Sequence, residues 1–560
     1  MSNTSKDQVM MQVIRYALEQ IADEMGHTLV RTARSTIIKE VMDITCAVFD
    51  RNGKTIAQAH HAPMLLTGFE ITMQKLLEQF PAETLHDGDV IVSNDPYMGG
   101  QHIMDCQTFA PVYFEGELVG FVGAIAHQAD MGGSAPGGVA GGLTEIYQEG
   151  IRLPMVKLYR QFEESAEIFG IIANNIRVPD KTIGDIKAQA SCCFVGVEKL
   201  KRVFAKYGKE QVQRSTTMLL DYSERRMREA LKAIPDGSYT GIDWVDDDGI
   251  TDDPIKVQVN IHKNGDRVSV DFDGTSPQVK GNVNCPIATA YAGVYYTIIA
   301  VVDPYVPPNS GCYRPVEVRI DPGLLVNPDL PGAVAARTNT SNKIVEAMLK
   351  ALAEALPDRV MAGSHAQMST FGFSGYDPRY KNRRFVYTEV QGGGAGALPE
   401  KDAREAQDSH LARMMNTPIE AVELEYPIRI ERYELIPDSG GAGKYRGSLG
   451  QRKDYRFLVD NVSFARYGDR QEHAPFGLFG GKEGSMGRFI LNPETPEETR
   501  LKAKAYSTLK LNDVVSVRLP GGGGYGNPLE RDRELVYNDV RDGKVSREQA
   551  KHDYGMTIED

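Results

Sequence analysis

The sequence predicts an α+β protein, with a mixed α/β N-terminal half and a β-rich, glycine-rich C-terminal half. Three observations predict it. Apolar residues recur at three- and four-residue spacing in residues 9–29 and periodically through 180–235, the mark of amphipathic helices. Between them, residues 43–58 and 108–127 form short runs of β-branched, aromatic and small apolar residues broken by turn residues, as strands do. From about residue 238 the chain reads as strands punctuated by glycine runs: GGGAGA at 392–397, SGGAGKYRGSLG at 439–450 and PGGGGYGNP at 520–528. The expected division is 1–240, holding the candidate metal residues, and 241–560. A chain of 560 residues with 41% hydrophobic content has enough apolar side chains for two to four units of roughly 100–200 residues each.

In order along the chain, Val9, Val13, Ala17, Leu18, Ile21, Met25 and Leu29 predict a first helix, with Ser5 as N-cap. DITCAVFDRNGKTIAQ, residues 43–58, predicts a hairpin turning at Arg51-Asn52-Gly53, because Asn-Gly suits a tight turn. Residues 67–80 are amphipathic and predict a helix. Asp87-Gly88-Asp89 turns into the strand VIVSN. TFAPVYF and LVGFVGAIAH predict a second hairpin across Glu115-Gly116-Glu117, followed by the glycine-rich loop MGGSAPGGVAGG at 131–142. Helices through 180–235 end near Pro235-Asp236-Gly237. Strands fill 238–275, with turns at Asp246–Gly249 and Asn264-Gly265, and a further helix is expected from about 341 to 356. No repeat of fixed period is visible.

Composition excludes several classes of function. The net charge of −13 and pI near 5.5 provide no positive field for nucleic acid. The six cysteines (Cys46, Cys106, Cys192, Cys193, Cys285 and Cys312) form no CxxC pair and are too sparse for a disulfide scaffold. The opening MSNTSKDQVMMQ has no apolar core of a signal peptide, and no run of 18 apolar residues exists to span a membrane. A cytoplasmic protein with reduced thiols and no membrane partner is expected. There is no GxxxxGK[ST] phosphate loop and no Gly-x-Ser-x-Gly elbow. GGGAGA lacks the strand–loop–helix setting of a dinucleotide site and reads as a loop.

The chemistry concentrates in residues 93–133, which hold His102, Asp105, His127 and Asp130 in a chain of only eleven histidines. His102 and Asp105 stand at the start of one predicted strand and His127 closes the next, so the hairpin would return His127 beside His102. Two imidazoles and a carboxylate suit a divalent transition metal with open positions. Asp130 could be a fourth ligand, a proton shuttle or a partner orienting a histidine. Asp43 opens a strand-like run and could reach the same site or simply cap the strand. A single His–Asp pair is ordinarily a structural hydrogen bond. Two pairs, each bordered by Gly-Gly (Gly99-Gly100 and Gly132-Gly133), weigh towards a site. Cys46 and Cys106 read as small buried apolar residues, and of His60 and His61 at most one could contribute.

MDITCAVFD, GDVIVSNDPYMGGQHIMD, AHQADMGGSAPGG, NTPIEAVELEYPIRIERYELIPDSGGAGKYRGSLG and LNDVVSVRLPGGGGYGNP occur in this order. Together they resemble the hydantoinase B/oxoprolinase family over nearly the whole chain. The resemblance implies a metal held by His102, Asp105 and His127 with Asp43 as neighbour, manganese or zinc being the expected ion. It also implies a partner, a hydantoinase A-type subunit that binds ATP and activates the substrate, in a hetero-oligomer of A2B2 type. This chain would then hydrolyse the activated cyclic amide (a hydantoin, 5-oxoproline or a lactam) with a metal-bound water, Asp130 or Asp43 serving as base or orienter. The rivals are a subunit of an ATP-dependent ketone carboxylase and a non-catalytic scaffold for the ATPase. Three departures from the family strings, Gln101-His102-Ile103-Met104-Asp105, His127-Gln128 and the segment Ala62–Gly68, bear on substrate choice.

Overall fold

The computed structural model describes residues 3–59, 61–408 and 410–559. His60 lies outside the described residues. The first helix, α1 (Asn3–Thr32), buries Ile14, Leu18, Ile21, Met25 and Leu29, an i, i+4, i+7 stripe. Val9 and Val13, which belong to the same period on paper, are 56% and 40% exposed, and towards this end of the helix Met11 and Ile14 are buried instead.

Seven strands form the first sheet: β1 (Ile44–Asp50), β2 (Thr55–Gln58), β3 (Val90–Ser93), β4 (Asp105–Phe114), β5 (Glu117–His127), β6 (Val156–Arg160) and β7 (Glu163–Glu164). Their spatial order is β2-β1-β5-β4-β3-β6-β7, and neighbouring strands pair antiparallel. Both expected hairpins are present. Gly53 at φ 74° makes the first turn, and Glu115 and Gly116 at φ 52° and 80° make the second. Helix α2 (Pro63–Gln79) begins four residues before the amphipathic stretch, with proline at its start, where no amide donor is needed. Helix α3 (Pro179–Tyr207) packs on β4, β5 and α1, and α4 (Lys209–Leu231) packs on α1.

A second sheet, β8 (Gly237–Val245), β9 (Ile255–Asn264), β10 (Arg267–Asp271) and β11 (Val316–Arg319), runs in the order β11-β10-β9-β8. Helix α5 (Ile287–Val302) was not expected. It is buried on most of its surface and so has no polar face to make a 3.6-residue period legible. Helix α6 (Arg337–Leu352) lies on β8 and β9 and begins four residues before the expected start. One apolar core runs from Ile14 through Val257, Val270, Ile298 and Met348 to Tyr467, so it crosses residue 240 without interruption.

The last two sheets, of four and five strands, face each other across an aromatic core that includes Phe371, Phe373, Tyr455, Phe457, Phe464 and Phe489. The glycine runs are not separate loops. Residues 520–525 thread between four other segments. Gly522 N donates to Ser448 O (2.9 Å), Gly523 N to Gly363 O (2.8 Å) and Gly524 N to Lys482 O (2.9 Å), while Gly394 N and Ala397 N donate to Pro520 O and Gly523 O (2.9 Å each). Glycine is required by the closeness of this packing: a Cβ on Gly522 would overlap the Ala395 carbonyl, and one on Gly523 the carbonyl of Phe476.

Candidate active site

The end of the first sheet assembles the site. In the β4–β5 ladder Asp105 stands directly opposite His127, and β1 flanks β5 on its other side, pairing Ile44 with Ala126. Asp43, one residue before β1, therefore falls beside His127, whose amide donates to the Asp43 carbonyl (3.1 Å). The turn into β4 brings in His102: Asp105 N donates to His102 O (3.0 Å), and the His102 and His127 rings lie 5.0 Å apart, edge to face. His102, Asp105, His127 and Asp43 are all buried.

Arg337, the first residue of α6, completes the cluster. Its Nη2 donates to Asp105 Oδ2 at 2.7 Å, and the residue is 3% exposed. His102 Nδ1 approaches the same Oδ2 at 2.9 Å without hydrogen-bond alignment. Burial pushes the Asp105 carboxyl up, but His102 and Arg337 pull it down to about 2. Burial lowers both imidazoles, with Arg337 adding to the effect at His102, while His102 helps take His127 to about 3. Burial and then the nearby Asp105 push Asp43 well above the usual carboxylate range, and Asp408 adds to this. Tyr467 also feels Arg337, Asp105 and Asp43; burial raises its phenol to about 12.

Asp130 is held by its own set of donors. Its oxygens accept from Gly132 N (3.2 Å), Gly137 N (3.0 Å), Arg177 N (2.6 Å) and Arg177 Nη1 (2.9 Å). Arg177 also donates to the carbonyls of Gly132 and Gly133. A carboxylate with this many donors on it anchors the loop after β5. The cysteines are all free and buried, as small apolar residues would be. His61 packs its ring against Gly26 of α1.

Among the described residues, no three His, Cys, Asp or Glu side chains are drawn around one point as ligands. The donor types are those that bind divalent transition ions. His102 Nδ1, His127 Nδ1 and Asp105 Oδ1 are buried without hydrogen-bond partners. Neutral imidazoles and an ionised carboxylate are the forms that bind metal. Reading the sequence did not find Arg337 or Asp408, and it noted Gln101, which donates to Met64 O, only as a departure from the family string. The available signal for Arg337 was an unbroken polar run, RTNTSNK, directly after the apolar stretch AVAA.

A chain with this fold and this cluster belongs to the hydantoinase B/oxoprolinase family, which matches residues 7–528. It is a B-type member. It is 35% identical over 573 residues to the B component ascribed to a D-/L-hydantoinase of Pseudomonas sp. (strain NS671), covering 99% of this chain and 96% of that one. The crystal structure of the ATP-dependent caprolactamase from Pseudomonas jessenii superposes with a TM-score of 0.92 at 32% identity, covering 99% of this chain and 96% of that one. The nucleotide-free acetone carboxylase structure superposes with a TM-score of 0.91 over 99% of this chain and 80% of that one; at 19% identity it shows the shared fold. No helix among the described residues is long and apolar enough to cross a membrane.

Proposed function

We propose that this chain is the hydrolytic subunit of an ATP-dependent cyclic-amide hydrolase, acting on a hydantoin, 5-oxoproline or lactam that an A-type partner has phosphorylated on the amide oxygen. The observation that carries this reading is the convergence of His102, Asp105, His127 and Asp43 at one sheet end, in a chain a third identical to hydantoinase and caprolactamase proteins. The carboxylase reading has support only from a likeness in fold.

His102, Asp105, His127 and Asp43 would hold a manganese or zinc ion, which when bound supplies charge stabilisation and a lowered pKa for water. The partner transfers the γ-phosphoryl group of ATP to the amide oxygen and releases ADP. Water then adds to the activated carbon and Asp43 takes its proton. The C–N bond breaks, the proton passes to the ring nitrogen, and a second water attacks the phosphorus of the resulting acyl phosphate, breaking its P–O bond to release carboxylate and phosphate. Arg337 orients Asp105, and burial of the cluster excludes competing water. The cytoplasm, where ATP is abundant, is the compartment this reaction suits.

The test is an assay of ATP cleavage and product formation with the partner subunit across hydantoins, 5-oxoproline, lactams and ketones, in ¹⁸O water with labelled bicarbonate. Ring opening with one solvent oxygen in the new carboxylate is expected. Bicarbonate carbon retained in the product would overturn the hydrolase reading.

A further inference from the structure

Residues 337–343, Arg-Thr-Asn-Thr-Ser-Asn-Lys, are seven consecutive polar residues at the start of a helix, and none is more than 3% exposed. Several serve the fold. Asn342 Nδ2 donates to Thr338 O (2.9 Å), and Lys343 Nζ pairs with Asp469 Oδ2 (2.7 Å). Four polar atoms here are buried without hydrogen-bond partners, Arg337 Nε, Thr338 Oγ1, Asn339 Oδ1 and Asn342 Oδ1, and of these only Arg337 Nε and Thr338 Oγ1 can donate. Burying a donor unmade costs free energy that the folded chain alone does not recover. Both atoms belong to the first turn of a sixteen-residue helix, the end at which the helix dipole favours an anion. The turn is held rigidly. Glu149 Oε1 accepts from Val334 N (2.6 Å) and Ala335 N (2.7 Å), and the Tyr97 hydroxyl donates to Gly332 O (2.6 Å). The same Arg337 reaches Asp105 at 2.7 Å, which puts the turn at the edge of the histidine cluster.

We propose that this turn is an oxyanion seat in which Arg337 and Thr338 take the phosphoryl group of the activated amide, next to Asp105 and the two histidines. The proposal rests on the reading that the substrate arrives phosphorylated. A phosphoryl group is preferred to a planar carboxylate because its tetrahedral oxygens can take the guanidinium, the hydroxyl and the helix end together. Arg337 and Thr338 are positioning residues, since they hold a group next to the reacting carbon.

Equilibrium dialysis of the full chain with inorganic phosphate and, separately, acetate tests this, with chelator present so that no metal contributes. Wild type should bind phosphate and exclude acetate. Arg337→Gln should weaken phosphate binding at least tenfold. Thr338→Val, which leaves the Arg337–Asp105 pair intact, should weaken it several-fold, and Thr338→Ser should restore it. Failure of wild type to bind phosphate, or unchanged affinity in Arg337→Gln and Thr338→Val, would overturn the seat. Phosphate binding as expected with no ring opening on any amide would sink the hydrolase reading instead and leave the seat standing.

Discussion

Asp105 opens one strand, His127 closes the next, and the two face each other as direct partners in the ladder. Because a strand's side chains alternate between faces, this register turns both to the same side, and a slip of one residue would separate them.

If the pair and His102 hold a metal, the purified protein carries a near-stoichiometric divalent ion, manganese or zinc. His102→Ala and His127→Ala should each remove it while the circular dichroism spectrum is unchanged. Full metal in both variants by elemental analysis would end the assignment.

Asp105→Asn separates the two active sites of the proposed complex. Ring opening should fall by at least about 100-fold. ATP cleavage by the partner should continue, giving turnover without product. Parallel loss of both activities would contradict a division of labour between the two chains.

Asp130 predicts stability. Asp130→Ala leaves Arg177 and three amides without their acceptor and should cost on the order of 3 kcal/mol, read as a lower urea midpoint. Metal content should stay as in wild type, and its loss at full stability would return Asp130 to the site.

Glu149 predicts a pH dependence. Burial raises its carboxyl from 4.5 to about 8, against two backbone amides that lower it. Below about pH 4.5 both folded and unfolded chains hold the proton and the stabilising contribution is complete. As pH rises towards 8 the unfolded chain ionises first, so that contribution, on the order of a few kcal/mol, is progressively lost. Glu149→Gln should lack this slope, seen as a gain in stability over wild type that grows from pH 5 to 8. Parallel curves for the two proteins would contradict it.

Gly522→Ala tests the glycine bundle. The added methyl meets backbone, which has no room to move, and should cost about 3 kcal/mol or more. The protein should become insoluble or melt far lower; a wild-type melting temperature would refute the packing argument.

What the sequence determined by itself is local or periodic. The two N-terminal hairpins follow from turn residues between β-type runs. The His102–His127 approach follows from one of those hairpins, because a short connection leaves few ways to return. Even there the stripe on α1 is seen only in part: Leu18, Ile21, Met25 and Leu29 are buried as expected, but Val9 and Val13 are exposed, since period alone does not choose which residues of the first turns meet the core. Only the tertiary structure decided the rest. Arg337 reaches Asp105 across 232 positions of sequence, and no local pattern encodes that distance. Asp130 has the spacing of a ligand, yet the amides of a folded loop and Arg177 take up its oxygens. The glycine run at 392–397 reads as a loop, and those at 439–450 and 520–528 read only as punctuation between strands. They are one packed unit, because a residue without a side chain shows its purpose only when another backbone comes to lie against it.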